Sequence, residues 1–284
     1  MTPILRPALD FPLDVLADVF TRGFEGYFVP IREQAESLAA RLRLDSIDLA
    51  LSRVAMLDDC PAGVVYVGVR GHQCRIAGMG VATEARRQGL GRRLMDEAIT
   101  ASRDAGLRQM VLEVIEQNEP AFALYRDLGF TIERRLVGYT LANAVVIGSS
   151  AADDASALVE IDPRDLGRRI AIDADADLPW QLASETIGAH SAGVSAVALA
   201  DTAFALVGEP GDASAPLVLE ALLVRRDDRR AGWGRRLTHA LIDRHAGRDW
   251  RIPARLPEEL AAPFLADLGF ERTAITQWEM RRPL

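Results

Sequence analysis

The hydrophobic positions of the first 146 residues switch between helical and extended spacing in a definite order. Leu13 to Phe20 and Gln34 to Arg43 carry apolar residues three and four apart, which predicts two helices. Ser52–Leu57, Gly63–Val69 and Gln73–Val81 follow as short runs containing Val or Ile, separated by Asp-Asp, Pro and Gly, the punctuation of antiparallel strands. From Gly91 to Gly106 the helical spacing returns, with Leu94, Met95, Ala98, Ile99 and the small Ser102 on one face. Met110–Val114 is extended. Pro120–Leu128 has Pro in its first turn and Gly129 just past its end, the asymmetry of a helix. Two more short strands are expected after it. The order predicts an α+β domain, a mixed α/β sheet that is central and mostly antiparallel, flanked by helices.

The pattern then recurs. RRQGLGRRL at 86–94 reappears as RRAGWGRRL at 229–237, and Asp127-Leu128-Gly129-Phe130 reappears as Asp267-Leu268-Gly269-Phe270. The offsets are 143 (86 to 229) and 140 (127 to 267), in the same order along the chain. Two tandem copies of one fold are the expectation, a first domain over 1–146 and a second over 155–284. The small, polar run starting at Gly148 places a linker at 147–154.

Composition narrows the chemistry. All 33 basic residues are Arg, so lysine Schiff bases, a pyridoxal-phosphate anchor and a phosphate-loop lysine are excluded, and any basic site is built from guanidinium. A net charge of −8 disfavours nucleic acid as a partner. No apolar run reaches the about 18 residues of a membrane span. Asp10 and Asp14 interrupt the beginning of the chain, so a cytoplasmic protein is expected. Cys60 and Cys74 lack metal-ligand spacing and read as reduced thiols, His72 and Cys74 read as structural, and no metal site is expected.

The first chemical signal is Arg86-Arg87-Gln88-Gly89-Leu90-Gly91-Arg92, placed after a strand and at the opening of a helix. Such a turn gathers unpaired N–H groups at the positive end of the helix dipole, where a phosphate fits. The second signal is Leu112-Glu113-Val114, Asn118, Ala121, Leu124-Tyr125 and Leu128-Gly129-Phe130. Together with R-x-x-G-x-G, this segment resembles the GNAT superfamily of N-acetyltransferases over about residues 75–140. The resemblance implies acetyl-CoA as cosubstrate. It implies that the backbone of Met79, Gly80 and Val81 pairs with the pantetheine arm, that Arg86 to Arg92 cradle the pyrophosphate, and that Asn118 contacts the cofactor. Tyr125 would lie beside the sulfur as general acid, and Glu113 would serve as base, directly or through water. The acceptor, a small-molecule primary amine or a peptide N-terminus, would meet Phe24, Glu25, Tyr27 and Phe28, residues that could equally staple the second helix.

In the second half Glu113, Asn118 and Tyr125 are replaced by Pro253, Glu258 and Leu265. Leu265 cannot donate a proton, and Pro253 suits an edge or bent strand. The second domain is therefore expected to keep the fold without the chemistry, as a monomer's pseudo-dimeric partner or within a homodimer. The alternative for the whole chain is a non-catalytic coenzyme A-binding or scaffold module. A third reading, nucleic-acid association through the arginines between 225 and 236, is interrupted by Asp227-Asp228.

Overall fold

The computed structural model describes residues 3–144, 149–175, 177–212 and 214–284. They divide into two compact units. One comprises Met1–Val114, Asn118–Glu133 and Glu279–Leu284, the other Ile115–Gln117 and Arg134–Trp278.

The first unit follows the predicted order. After the short strand β1 (Ile4–Pro7) come helices α1 (Leu13–Gly23) and α2 (Ala35–Leu44), then strands β2 (Ile47–Leu57), β3 (Cys60–Arg70) and β4 (Gln73–Val81). Helix α3 (Leu90–Asp104), strand β5 (Gln109–Ile115) and helix α4 (Glu119–Asp127) complete the series. β1 to β4 pair antiparallel and β5 joins β4 in parallel. The mostly antiparallel sheet is thus present. Leu16, Val19 and Phe20 of α1 and Leu38 of α2 are buried against Val54, Val64, Tyr66 and Ala77. The Tyr66 hydroxyl donates to the Leu16 carbonyl at 3.0 Å, so the polar tip of this buried ring is satisfied.

Two features of β4 matter most. Tyr66 pairs with Gly78 while Val67 pairs with Ile76, so Ala77 is the extra residue of a β-bulge. The parallel pairing with β5 covers only Gln73–Ile76 against Gln109–Leu112. Beyond the bulge the two strands part, which leaves backbone groups of the second half of β4 without a neighbour on that side.

The second of the two short strands expected after α4 is not where the sequence order put it. β6 (Thr131–Leu141) is one long strand, and the first unit holds only its residues to Glu133. The unit is completed instead by the chain's last residues, part of a strand running Gln277–Pro283. There the Leu284 N–H donates to the Arg108 carbonyl at 3.0 Å, the Thr131 hydroxyl donates to the Arg281 carbonyl at 3.3 Å, and the Arg282 guanidinium donates to the Leu128 carbonyl.

The second unit repeats the plan. Its elements are α5 (Ser149–Ser156), β7 (Val159–Ile161), α6 (Pro163–Asp173), α7 (Ser184–Ala189), β8 (Val194–Leu199), β9 (Ala203–Gly208) and β10 (Leu217–Val224). They are followed by α8 (Trp233–Arg244), β11 (Trp250–Pro257), α9 (Glu258–Asp267), β12 (Glu271–Arg272) and the first two residues of β13 (Gln277–Pro283), whose remainder belongs to the first unit. β10 and β11 pair in parallel over two residues only, and β10 carries a bulge at Glu220, the counterpart of Ala77 by the 143-residue offset. The pairing of β11 with β6 is irregular between Ile252 and Leu256, the stretch that contains Pro253. A proline without an N–H cannot keep a ladder regular, so a bent strand results.

The contact boundaries differ from a simple cut at 147–154. Residues 134–144 lie in the second unit and 279–284 in the first. Residues 147 and 148 of the expected linker lie outside the described residues, while Ser149–Ser156 is helical rather than a loose connector. The helix is tied in place by Asp154, paired with Arg236 at 2.7 Å, and by Arg244, which donates to the carbonyls of Ala155 and Leu158.

Candidate active site

The glycine loop between β4 and α3 is shaped by two residues in the left-handed region, Arg87 at φ 61° and Gly89 at φ 78°. Gly89 is the N-cap of α3 and supplies no side chain, so the N–H groups of the helix's first turn open outward at the positive dipole end. Gly91 leaves the approach open as well. A Cβ there would have Met79 and Leu124 as its nearest neighbours, at an ordinary 3.7 Å. The second unit repeats these dihedrals at Arg230 (φ 67°) and Gly232 (φ 86°).

Several loop side chains have local duties. Arg86 Nε donates to the Val81 carbonyl at 3.0 Å, and its terminal nitrogen donates to the carbonyls of Gly23 and Glu25 at 3.1 and 2.9 Å. Its guanidinium therefore stitches the loop to the end of α1. Arg229 makes the corresponding bonds to Val224 and Asp173, so this stitch belongs to the fold in both units. Gln88 donates to the Glu84 carbonyl at 3.2 Å, and Arg92 pairs with Asp127 at 2.9 Å. Leu90 is 2 % exposed and belongs to the core. The donors that the loop turns outward are mainly those of its backbone.

Alternate residues of a strand face opposite sides, and β4 uses both. Met79 lies toward Gly91 and Leu124. Gly80 lies toward α1, so close that a Cβ would stand 3.0 Å from Gly23 Cα and 3.1 Å from the Phe24 ring. Phe24 stacks edge-on against Tyr27 at 4.9 Å, and Tyr27 against Phe28 at 5.3 Å. Phe28 is exposed. The acidic residue of this segment, Glu25, accepts from the Thr83 hydroxyl at 3.4 Å.

Tyr27, Asn118 and Tyr125 come together here, although sequence order gave them separate tasks. Asn118 caps α4, its Oδ1 accepting from the Ala121 N–H at 3.3 Å, and its side chain is also hydrogen-bonded to the Tyr27 hydroxyl. Burial raises the Tyr27 pKa, and the bond to Asn118 offsets this in part. Tyr125 is 6 % exposed and packs at 6.0 Å against Phe130. Burial, and secondarily the neighbouring Tyr27, raise its pKa above the ordinary tyrosine value, so it holds its proton throughout the neutral range.

Glu113 is engaged differently from the sequence expectation of a free base. Arg75 Nε donates to both of its oxygens, at 3.0 and 2.9 Å, and the other side of the guanidinium reaches Asp45 at 2.9 Å. Burial works against the charge of Arg75, but Glu113 and then Asp45 outweigh it and raise its pKa. The Glu113 carboxylate is thus clamped by a fork of donors. Sequence reading missed Arg75 and Asp45, which are remote from Glu113 in the chain and belong to no motif. Cys74 is buried, its thiol donating to the Gln109 carbonyl at 3.4 Å, and burial pushes its pKa up to about 11. It is structural.

In the second unit Leu265 stands 3 % exposed in the core where Tyr125 stands in the first. Glu258, the counterpart of Asn118, pairs with Arg135 at 3.6 Å and with Arg272. Of the arginines near the loop, Arg225 pairs with Asp228, Arg229 with Asp175, Arg235 with Asp267 and Arg236 with Asp154. Among the described residues no three His, Cys, Asp or Glu side chains are grouped to hold a metal, and no helix is long and apolar enough to cross a membrane.

A bulged strand thus parts from its parallel neighbour above a glycine-capped helix, in a mixed α+β domain. Residues 15–130 match the Acetyltransferase (GNAT) family. Over the whole chain the fold is similar to a GCN5-related N-acetyltransferase from Sphaerobacter thermophilus (TM-score 0.69, 15% identity, covering 99% of this chain and 95% of that one). It is also similar to a tandem GNAT protein from the clavulanic acid biosynthesis pathway (0.65, 15%, 99% and 97%). A third is a GCN5-related N-acetyltransferase from Kribbella flavida (0.64, 17%, 99% and 72%). At these identities the likeness is one of fold, and it extends over both units. No curated protein matches the chain.

Proposed function

We propose that the first unit transfers an acetyl group from acetyl-CoA to a primary amine by direct attack, and that the second unit does not catalyse. The observation that carries this is the open first turn of α3, where Met79 of the parted end of β4 and Leu124, the residue before the buried Tyr125, both lie against Gly91. The N–H groups of Leu90, Gly91 and Arg92 would receive the pyrophosphate, with Arg87 and Arg92 adding charge. The backbone of Met79, Gly80 and Val81 would pair with the pantetheine arm as an added strand, and an N–H there would polarise the thioester carbonyl.

In the reaction the neutral amine nitrogen attacks the thioester carbon, and the carbon–sulfur bond breaks. Tyr125 donates its proton to the departing thiolate, and the proton lost by the amine passes through water and restores the Tyr125 hydroxyl. Glu113, held by Arg75, acts on that water through its field and by fixing the end of β5. Asn118 positions Tyr27 and the start of α4, and Phe28 and Glu25 face the incoming amine. In the second unit Leu265 has no proton to donate. Tyr125→Phe should lower turnover about 100-fold or more while acetyl-CoA affinity holds. A thiol-release assay across amino acids, polyamines, aminoglycosides and peptide N-termini provides the acceptor for that comparison, and unchanged turnover would remove Tyr125 from the mechanism.

A further inference from the structure

The Phe24 ring covers the β4 backbone at Gly80 from the α1 side, in van der Waals contact. It is braced by two further rings. Phe20 packs against it at 4.6 Å with the planes tilted by 38°, Tyr27 meets it edge-on at 4.9 Å, and Tyr27 is itself tied to Asn118. Its own backbone is clamped, because Arg86 takes the carbonyls of both flanking residues, Gly23 and Glu25. Close-packed aromatic surroundings of this kind do not yield space without loss of contact. The corresponding stitch in the second unit runs from Arg229 to Asp173, which places Ala174 where the first unit has Phe24. The wall is thus peculiar to the first unit.

From this we infer that Phe24 sets the length of the acyl group and restricts the first unit to a two-carbon acyl donor. It rests on the proposed seating of the thioester on Met79–Val81. On that seating, an acyl chain that leaves the carbonyl toward Gly80 would meet the Phe24 ring, and each methylene beyond the acetyl methyl would have to displace a ring held by Phe20, Tyr27 and Arg86. Phe24, which sequence reading placed with the acceptor amine, is thereby a specificity determinant for the donor.

The test is calorimetric titration of the full chain with coenzyme A, acetyl-CoA and butyryl-CoA, in the wild type, Phe24→Ala and Phe24→Leu. Wild type should bind butyryl-CoA about tenfold or more weaker than acetyl-CoA, Phe24→Ala should bring the two within about threefold, and Phe24→Leu should fall between. Equal affinities in the wild type overturn the inference, as does a folded variant that keeps the wild-type ratio. Should the alanine variant fail to fold, the leucine variant decides by the same ratio. Binding of coenzyme A and acetyl-CoA without discrimination against butyryl-CoA overturns the acyl-length role alone. No binding of any of the three overturns the proposed cofactor site and this inference with it.

Discussion

Arg75 shows how much one residue can carry outside any motif. Its side chain is 6 % exposed and joins Glu113 at 4 % and Asp45 at 14 %. Removing one partner of a buried pair leaves an uncompensated charge, which typically costs about 3–5 kcal/mol, whereas replacing both partners with apolar groups is often near neutral. Arg75→Met should lower the unfolding free energy within that range, and Glu113→Leu added to it should recover part of the loss in denaturant titration, Asp45 keeping Arg41 as a partner. The buried tyrosines set a second expectation. Tyr125 and Tyr66 have folded-state pKa values raised by burial above the ordinary value of about 10. Below that value both states keep the proton and the stability is fully present. Above it the unfolded chain ionises first, so stability falls as pH rises. Urea midpoints should be level up to about pH 9 and decline beyond about pH 10, and Tyr125→Phe should make the decline shallower.

At the scale of elements, the loop before α3 depends on backbone shape more than on its arginines. Gly89 sits at φ 78° with nothing within 4 Å of a would-be Cβ, so a substitution there is strained without being crowded. Gly89→Ala should cost about 1 kcal/mol of stability. Gly89→Glu adds a carboxylate at the anion-receiving end of the helix and should abolish acetyl-CoA binding in calorimetry, while its far-ultraviolet circular dichroism stays that of the wild type. The loop was legible in the sequence because glycines at positive φ and a helix start are local matters, decided within seven residues. The bulge at Ala77 was not, since an alanine in a Val/Ile strand says nothing about which partner residue it skips. Arg86 was read as a phosphate ligand because its position in the motif is visible and its three carbonyl partners are not.

The whole molecule departs most from its sequence order in how each unit is completed. The first unit needs Glu279–Leu284, and the second needs Arg134 onward from β6. Deleting residues 279–284 should lower the thermal midpoint of the first unit's unfolding, because the bonds to Arg108, Leu128 and Thr131 go with it, and residues 1–146 expressed alone should share that loss. Calorimetric scans of the full and shortened chains check this. The order of helices and strands, the two copies, the glycine turn and the tyrosine near the end of the match were all determined by the sequence, for these follow from spacing and residue type over short stretches. The exchange of terminal strands, the clamp of Arg75 on Glu113, the meeting of Tyr27, Asn118 and Tyr125, and the wall of Phe24 over Gly80 were settled only by folding. Each joins residues distant in the chain, and a partner chosen by packing leaves no periodic trace in either segment alone.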